Sequence, residues 1–315
     1  MTLSFANDDN GNAPKYYVAV TLGSNAGSGF QQLVNWNPSS YTSYLNTDCQ
    51  NHNWQDGNGN LLYSWFETHG ATNTSTSVYE WVKLPNATIT TIYLVFTSAA
   101  SSDYSTSHTG VEPTYTSTYA QYDNGANIFV KYNNFASGSG WTTYGTAIST
   151  FSNGLSQTGV NSWSGITYSS GMATATDYLE AYLVSSTPAG VNTGFGTSSG
   201  VFYGTSTTGL WVLYGASAGS PVTAGTSGGT FNNGNFILTG EGAGTATAYL
   251  VANYITTEVT NTQSFANSGD IFFGTYSGTT NWQWIRERTP PPSGVMPSVT
   301  FGSVTSAYAQ LLMGY

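Results

Sequence analysis

The sequence predicts an all-β protein made of two antiparallel β-sandwich domains, the second of them a jelly roll. Three observations lead there. Apolar and aromatic residues alternate with polar ones in short runs, while no stretch keeps a 3.6-residue period over a useful length. Asn-Gly, Asp-Gly and Gly-Gly steps separate those runs in the manner of hairpin turns. Finally, 9 Trp, 23 Tyr and 15 Phe in 315 residues supply what a pleated, half-buried surface needs and a disordered chain lacks. A chain of this length exceeds the roughly 250–300 residues at which single cores stop growing, hence two domains.

In order, residues 1–14 form an arm in which Leu3 and Phe5 alternate with Thr2, Ser4 and Ala6, followed by the loop cluster Asp8 to Asn12. A first sandwich is expected over 15–115. It opens with Tyr16, Val18, Val20 and Leu22 on one face, then Phe30, Leu33 and Trp36. Asp56-Gly57-Asn58-Gly59-Asn60 signals a hairpin leading into Leu61 to Phe66. Val78, Val82 and Leu84 then oppose Tyr79, Trp81 and Lys83, and Thr91 to Phe96 gives another apolar strand. The junction from Tyr115 to Trp141 carries a turn signal at Asp123-Asn124-Gly125.

A second sandwich is expected over 116–302, with strands at Tyr178 to Val184, Val201 to Tyr203, Leu210 to Tyr214, Thr245 to Ile255, Ile271 to Phe273 and Trp282 to Arg288. Many short strands without helices point to a double-sheet jelly roll, and the lack of a fixed internal period argues against a propeller or β-helix. Pro290 to Pro292 stop the last long strand, Val299, Phe301 and Val304 suggest one more, and 303–315 form a tail.

Charge excludes several function classes. Only 6% of residues are Asp, Glu, Lys or Arg, where an ordinary soluble domain has about 25%. With Lys15, Lys83, Lys131, Arg286 and Arg288 the sole strong cations, no phosphate-binding stripe can form, so nucleic acid is not an expected partner. So few titrating groups also suggest tolerance of acid. The single Cys49 cannot form an internal disulfide. No apolar run of about 20 residues spans a membrane, and Met1 to Asn12 lacks a signal peptide's basic and apolar parts. Export would then need a removed leader or another route, unless the protein is assembled inside a cell, as in a virus particle.

Several residue groups are candidate sites. Asn73-Thr74-Ser75 and Asn86-Ala87-Thr88 are glycosylation sequons. Trp282, Trp284, Arg286 and Arg288 fall on one expected strand face, where rings and guanidinium groups can stack on sugars or on one another, and Tyr178, Glu180 and Tyr182 form a similar row. Asp56, Asn58 and Asn60 have the alternate spacing of a calcium loop, repeated by Asp8, Asn10 and Asn12, but strand-like flanks and Leu61 at the sharp turn favour a plain hairpin; no metal or cofactor is expected. A glycosidase needs two carboxylates about 5–9.5 Å apart. Asp177 and Glu180, three residues apart, would face opposite ways, and the other acids of the second domain are isolated, so the chain is not expected to be an enzyme.

Gly29-Phe30-Gln31-Gln32, Asp56-Gly57-Asn58-Gly59, Tyr63 to Glu67, Trp81 to Pro85, Thr91-Ile92-Tyr93, the junction Tyr119 to Ala126 and the ending Trp284-Ile285-Arg286 with Pro291 to Gly294 together resemble a domain family of unknown function found in archaeal and bacterial surface proteins. The resemblance implies a first domain about as long as 15–115, a concanavalin A-like jelly roll after it, and an extracellular or cell-surface, archaeal setting. It carries no catalytic residues. The resulting expectation is an extracellular structural subunit of a surface layer or filament, whose partners are copies of itself joined by β-strand complementation. The donated segment would be the arm with Leu3 and Phe5 or the tail with Leu311, Leu312, Met313 and Tyr315. The competing expectation is an adhesin that binds surface glycans through Trp282, Trp284 and Arg286.

Overall fold

The computed structural model describes residues 3–24, 26–67, 71–113, 118–171, 176–187, 193–197, 201–206, 209–214, 222–227, 236–242, 246–252, 256–263 and 269–308, with backbone alone for 185–187 and 201–263. In chain order the strands are β1 (Tyr16–Leu22), β2 (Gln31–Trp36), β3 (His52–Gln55), β4 (Ser64–Phe66), β5 (Val78–Lys83), β6 (Thr91–Phe96) and β7 (Thr109–Val111). After the short helix α1 (Gly125–Ile128) come β8 (Lys131–Asn133), β9 (Trp141–Tyr144), β10 (Ile148–Phe151), β11 (Leu155–Tyr168), β12 (Tyr178–Thr187), β13 (Thr193–Thr197) and β14 (Val201–Ser206). The remainder are β15 (Gly209–Tyr214), β16 (Val222–Ser227), β17 (Phe236–Gly242), β18 (Ala246–Ala252), β19 (Thr256–Gln263), β20 (Ile271–Arg288) and β21 (Val299–Ser306). The protein is all-β, and among the described residues its sheets are antiparallel apart from one parallel pair, β4 with β7.

The chain divides into two compact units. Met1–Thr114, Ala120–Phe129 and Pro291–Tyr315 make the first, and Tyr115–Tyr119 with Val130–Pro290 the second. This corrects the expected boundary at 302. The last strand joins the first unit because Val299, Phe301 and Val304 pack on that unit's core, a choice that strand patterning alone does not express.

The first unit is a sandwich of two four-stranded sheets, ordered β21-β1-β6-β3 and β2-β5-β4-β7. Period-two alternation sends Val18, Val20 and Leu22 inward from one sheet and Val34, Trp36, Val78 and Val82 inward from the other, all into one core. Leu33, expected beside Phe30 and Trp36, is half-buried on the other face because a spacing of three cannot share a pleat. The outer face of the second sheet is covered as well. Trp65 and Trp81 meet Phe129 edge-on at 5.3 and 5.7 Å, and the Trp65 indole N–H donates to Asp123 at 2.8 Å. The turn signal at Asp123-Asn124-Gly125 thus leads into the single helical turn α1, and Phe129 after it lies on this face.

Asp8-Asp9-Asn10-Gly11-Asn12 and Asp56-Gly57-Asn58-Gly59-Asn60 close with one hydrogen-bond pattern. In each, the aspartate Oδ1 accepts from the backbone of both asparagines and Oδ2 from the second asparagine's amide, and each fourth-position glycine has φ +81°. A side chain at Gly59 would also bring Cβ to 2.2 Å from the Ser4 carbonyl oxygen. Gly59→Ala is expected to cost about 1–3 kcal/mol in a denaturant melt, and a loss below about 0.5 kcal/mol would mean that the arm does not rest on this hairpin.

In the second unit, β20 is the spine. One of its edges pairs with β8 and β11, the other with β12 and β13. The sheet continues from β12 through β17, β18 and β19, and from β13 through β14, β15 and β16. The sequence suggested two strands here, at Ile271 to Phe273 and Trp282 to Arg288. They are one, because partners on both edges hold the Gly- and Thr-rich middle extended. The core of this unit gathers Leu155, Ile166, Leu179, Leu183, Phe195, Phe273, Trp282 and Ile285.

Candidate functional site

The two aromatic and charged rows seen in the sequence face each other. The β12–β20 register sets Tyr178 opposite Arg288, Glu180 opposite Arg286 and Tyr182 opposite Trp284. Tyr182 and Trp284 stack at 5.8 Å and 14°, and the Arg286 guanidinium lies over Trp284 at 4.4 Å. Glu180 accepts from Arg286 Nε at 2.6 Å and from an Arg288 terminal nitrogen at 2.8 Å, while Arg288 covers the Tyr178 ring at 4.5 Å. Burial alone would raise the Glu180 carboxyl; Arg288 and Arg286 outweigh it and hold it down at about 2.

This ladder does not include Trp282. The register shifts between Tyr182 and Leu183, leaving Gln283 as an extra residue on β20, so Trp282 turns to the opposite face and enters the core beside Phe273 and Phe195. The expectation of one shared face is thus corrected. So is the expectation of a sugar-stacking platform, because Trp282, Trp284 and Arg286 are each 0% exposed. Their rings and guanidinium are occupied by neighbours in the same unit.

The arm residues Leu3 and Phe5 do not form a strand. Phe5 packs on Tyr17 at 4.7 Å and Tyr93 at 5.3 Å, and Gln55 exchanges two 2.9 Å hydrogen bonds with the Ala6 backbone. The following loop is tied down by Asn10 and Asn12, which donate to the Ser102 carbonyl, and by a 2.7 Å hydrogen bond between the Asp9 carboxylate and His108 Nδ1. The arm is therefore engaged by its own unit. The tail residues Leu311, Leu312, Met313 and Tyr315 lie outside the described residues. Asn86 is exposed, its side-chain oxygen accepting from the Thr88 backbone and hydroxyl, whereas Asn73 is half-buried. The carboxylates of Asp8 and Asp56 are used in closing their own loops, which is the hairpin reading of that spacing.

Two buried polar clusters of the first unit were missed. Glu80 accepts from Trp36 Nε1 at 3.2 Å and pairs with His52 Nε2 at 3.1 Å, with both charged side chains 0% exposed. Burial opposes charge on His52, but Glu80 prevails and raises it. The signal was present: alternation puts Glu80 on the same face as Val78 and Val82. The second cluster joins Asp103 to Thr97 at 2.6 Å, to Asn53 at 2.8 Å and to Asp8. Burial, helped by Asp8 and opposed by the Thr97 and Asn53 hydrogen bonds, pushes Asp103 up to about 7.

An acid whose folded value lies above its unfolded one stabilises the fold as pH drops. The first unit should thus gain stability from Asp103 as pH falls from about 7 toward the ordinary value near 3.9. Asp103→Asn is expected to flatten that slope in thermal melts between pH 8 and 4, and an unchanged slope would remove Asp103 as its source.

No protein-family model matches the chain. Over 313 residues it is 26% identical to an uncharacterised protein, 562, of Sulfolobus islandicus rod-shaped virus 1, across 78% of this chain and 51% of that protein. The chain spans about half the length of the curated relative it matches.

Proposed function

We propose that the chain is an extracellular structural subunit that assembles with copies of itself by β-strand complementation, as in a surface layer, a filament or a virus particle. The observation that carries this reading is how the polar groups are spent. Among the described residues, buried Glu180 is paired with Arg286 and Arg288 and buried Glu80 with His52 inside packed β-sheets, and only 6% of the whole sequence is Asp, Glu, Lys or Arg. Such a chain offers neighbours backbone edges and neutral side chains. The likeness to an uncharacterised protein of a rod-shaped virus is consistent with a viral setting, and the surface-protein resemblance supports the extracellular one. The adhesin alternative loses its motivating face with the burial of Trp284. Electron microscopy of the purified chain over a concentration series is expected to show polymers; a monodisperse monomer throughout would overturn the proposal.

A further inference from the structure

The first unit has four sheet edges, and three of them are closed. On β2, the Leu33 N–H meets Met296 Sδ at 3.5 Å and Gln32 donates to the Pro297 carbonyl at 2.8 Å. On β3, Leu62 N–H donates to the Trp54 carbonyl at 2.8 Å, with a bridge between Gln55 and Leu61. On β7, Val111 N–H donates to the Tyr122 carbonyl at 3.0 Å. The fourth edge, β21, has β1 on one side and, among the described residues, no hydrogen-bonded strand on the other.

The register fixes which groups that edge presents. Gly23 N–H donates to Ser298 O, and Ala307 N–H donates to Lys15 O, so these positions face β1. Alternation from both ends, with the register irregularity of the β1 pairing between them, turns the N–H and C=O of Val299, Phe301, Val304 and Ser306 away from β1. The side chains tell the same story. Core-facing Val18, Val20 and Leu22 on β1 are at most 5% exposed, whereas Val299, Phe301 and Val304 on β21 are only half-buried, as a core is where its next strand is missing.

We propose that this edge pairs with the same strand of a second copy of the chain, antiparallel about a twofold axis, fusing two four-stranded sheets into one of eight. Resting on the self-assembly reading, the proposal names one contact and its partner: a twofold edge pairing closes at two copies, so growth into a polymer takes a second contact elsewhere on the chain. The four outward residues form a self-complementary set. Setting Phe301 opposite Val304 of the partner subunit sets Val299 opposite Ser306 of the partner subunit, so every outward group finds another and each half-buried ring gains an apolar neighbour. The strand Val-Thr-Phe-Gly-Ser-Val-Thr-Ser holds no charge and no proline, the usual guards of an exposed edge. A charged guest would gain nothing here, and a second copy meets no like charge.

The same register sets Thr300 opposite Thr305 of the partner subunit, at two symmetry-related places, which makes it testable. In sedimentation velocity on the whole chain, Thr300→Lys with Thr305→Lys puts like charges across both pairs and is expected to weaken association at least tenfold. Thr300→Lys with Thr305→Glu puts opposite charges there and is expected to restore it, which also shows that the substituted strand still folds. Amides of Phe301 and Val304 should exchange slowly only at associating concentrations, and those of Thr300 and Thr305 slowly throughout. Association indifferent to the double lysine change would overturn this edge while leaving self-assembly standing; loss of association on truncation after Tyr308 would assign the edge to the tail instead. A chain that is monomeric at every concentration would overturn both.

Discussion

Glu180→Ala is expected to destabilise the second unit by about 3–5 kcal/mol, because it strands two guanidinium groups in a sheet where Arg286 is 0% and Arg288 8% exposed. The loss should exceed that of an apolar truncation at the same site, since the buried cations lose their counter-charge as well as two hydrogen bonds of 2.6 and 2.8 Å. The pH dependence has a definite sign. Glu180 is held below its ordinary value, so its contribution is present above about 4.5 and disappears as pH falls toward 2, a window worth about 3 kcal/mol. Guanidinium melts of the wild type and the variant at pH 7, 4 and 2.5 measure both effects. A variant within 1 kcal/mol of wild type at pH 7, or one that keeps the acid slope, would show that the ladder is not what holds β12 to β20.

Glu80→Ala should injure the first unit to a similar extent, about 3–5 kcal/mol. It removes the acceptor of the Trp36 indole and the counter-ion of His52 together, between two sheets with no described solvent access to either side chain. Here the sign runs the other way from Glu180. His52 is raised by folding, so its contribution is complete below the ordinary imidazole value near 6.5 and is lost as pH rises through the folded value. Without Glu80, burial opposes the charge on His52 with only the Cys49 carbonyl and Asp103 left to favour it, and acid should then destabilise the fold. Melts of the two proteins at pH 5 and 8 should therefore diverge most at pH 5. Parallel curves would mean that His52 is neutral in the wild type and that the pair is an ordinary hydrogen bond. With Asp103, this pair gives the expected acid tolerance specific residues in the first unit, while Glu180 sets a lower limit in the second.

Much of the fold was legible because period-two alternation is written residue by residue. Val18, Val20 and Leu22 could be placed inward from their spacing, and Asp56 to Asn60 could be placed as a hairpin from their backbone preferences. Less could be read where partners decide. The continuity of β20 through Gly274 to Asn281 depends on β11 and β12 beside it, and the extra Gln283, which sends Trp282 to one face and Trp284 to the other, leaves no mark in the alternation of one strand. The candidate surface fared in the same way. Spacing found the aromatic and arginine row, but whether a row meets solvent or another row is settled by the strand that lies against it.

The sequence by itself determined that the protein is all-β, nearly uncharged and rich in rings, since composition and local periodicity are properties of the chain alone. Only the tertiary structure decided that β21 returns to the first sandwich, that Glu180 and Glu80 are spent on buried pairs, and which edge of the first unit has no strand beyond it among the described residues. Strand pairing is made between residues far apart in sequence, and its energy depends on which neighbours arrive, a quantity no single segment carries.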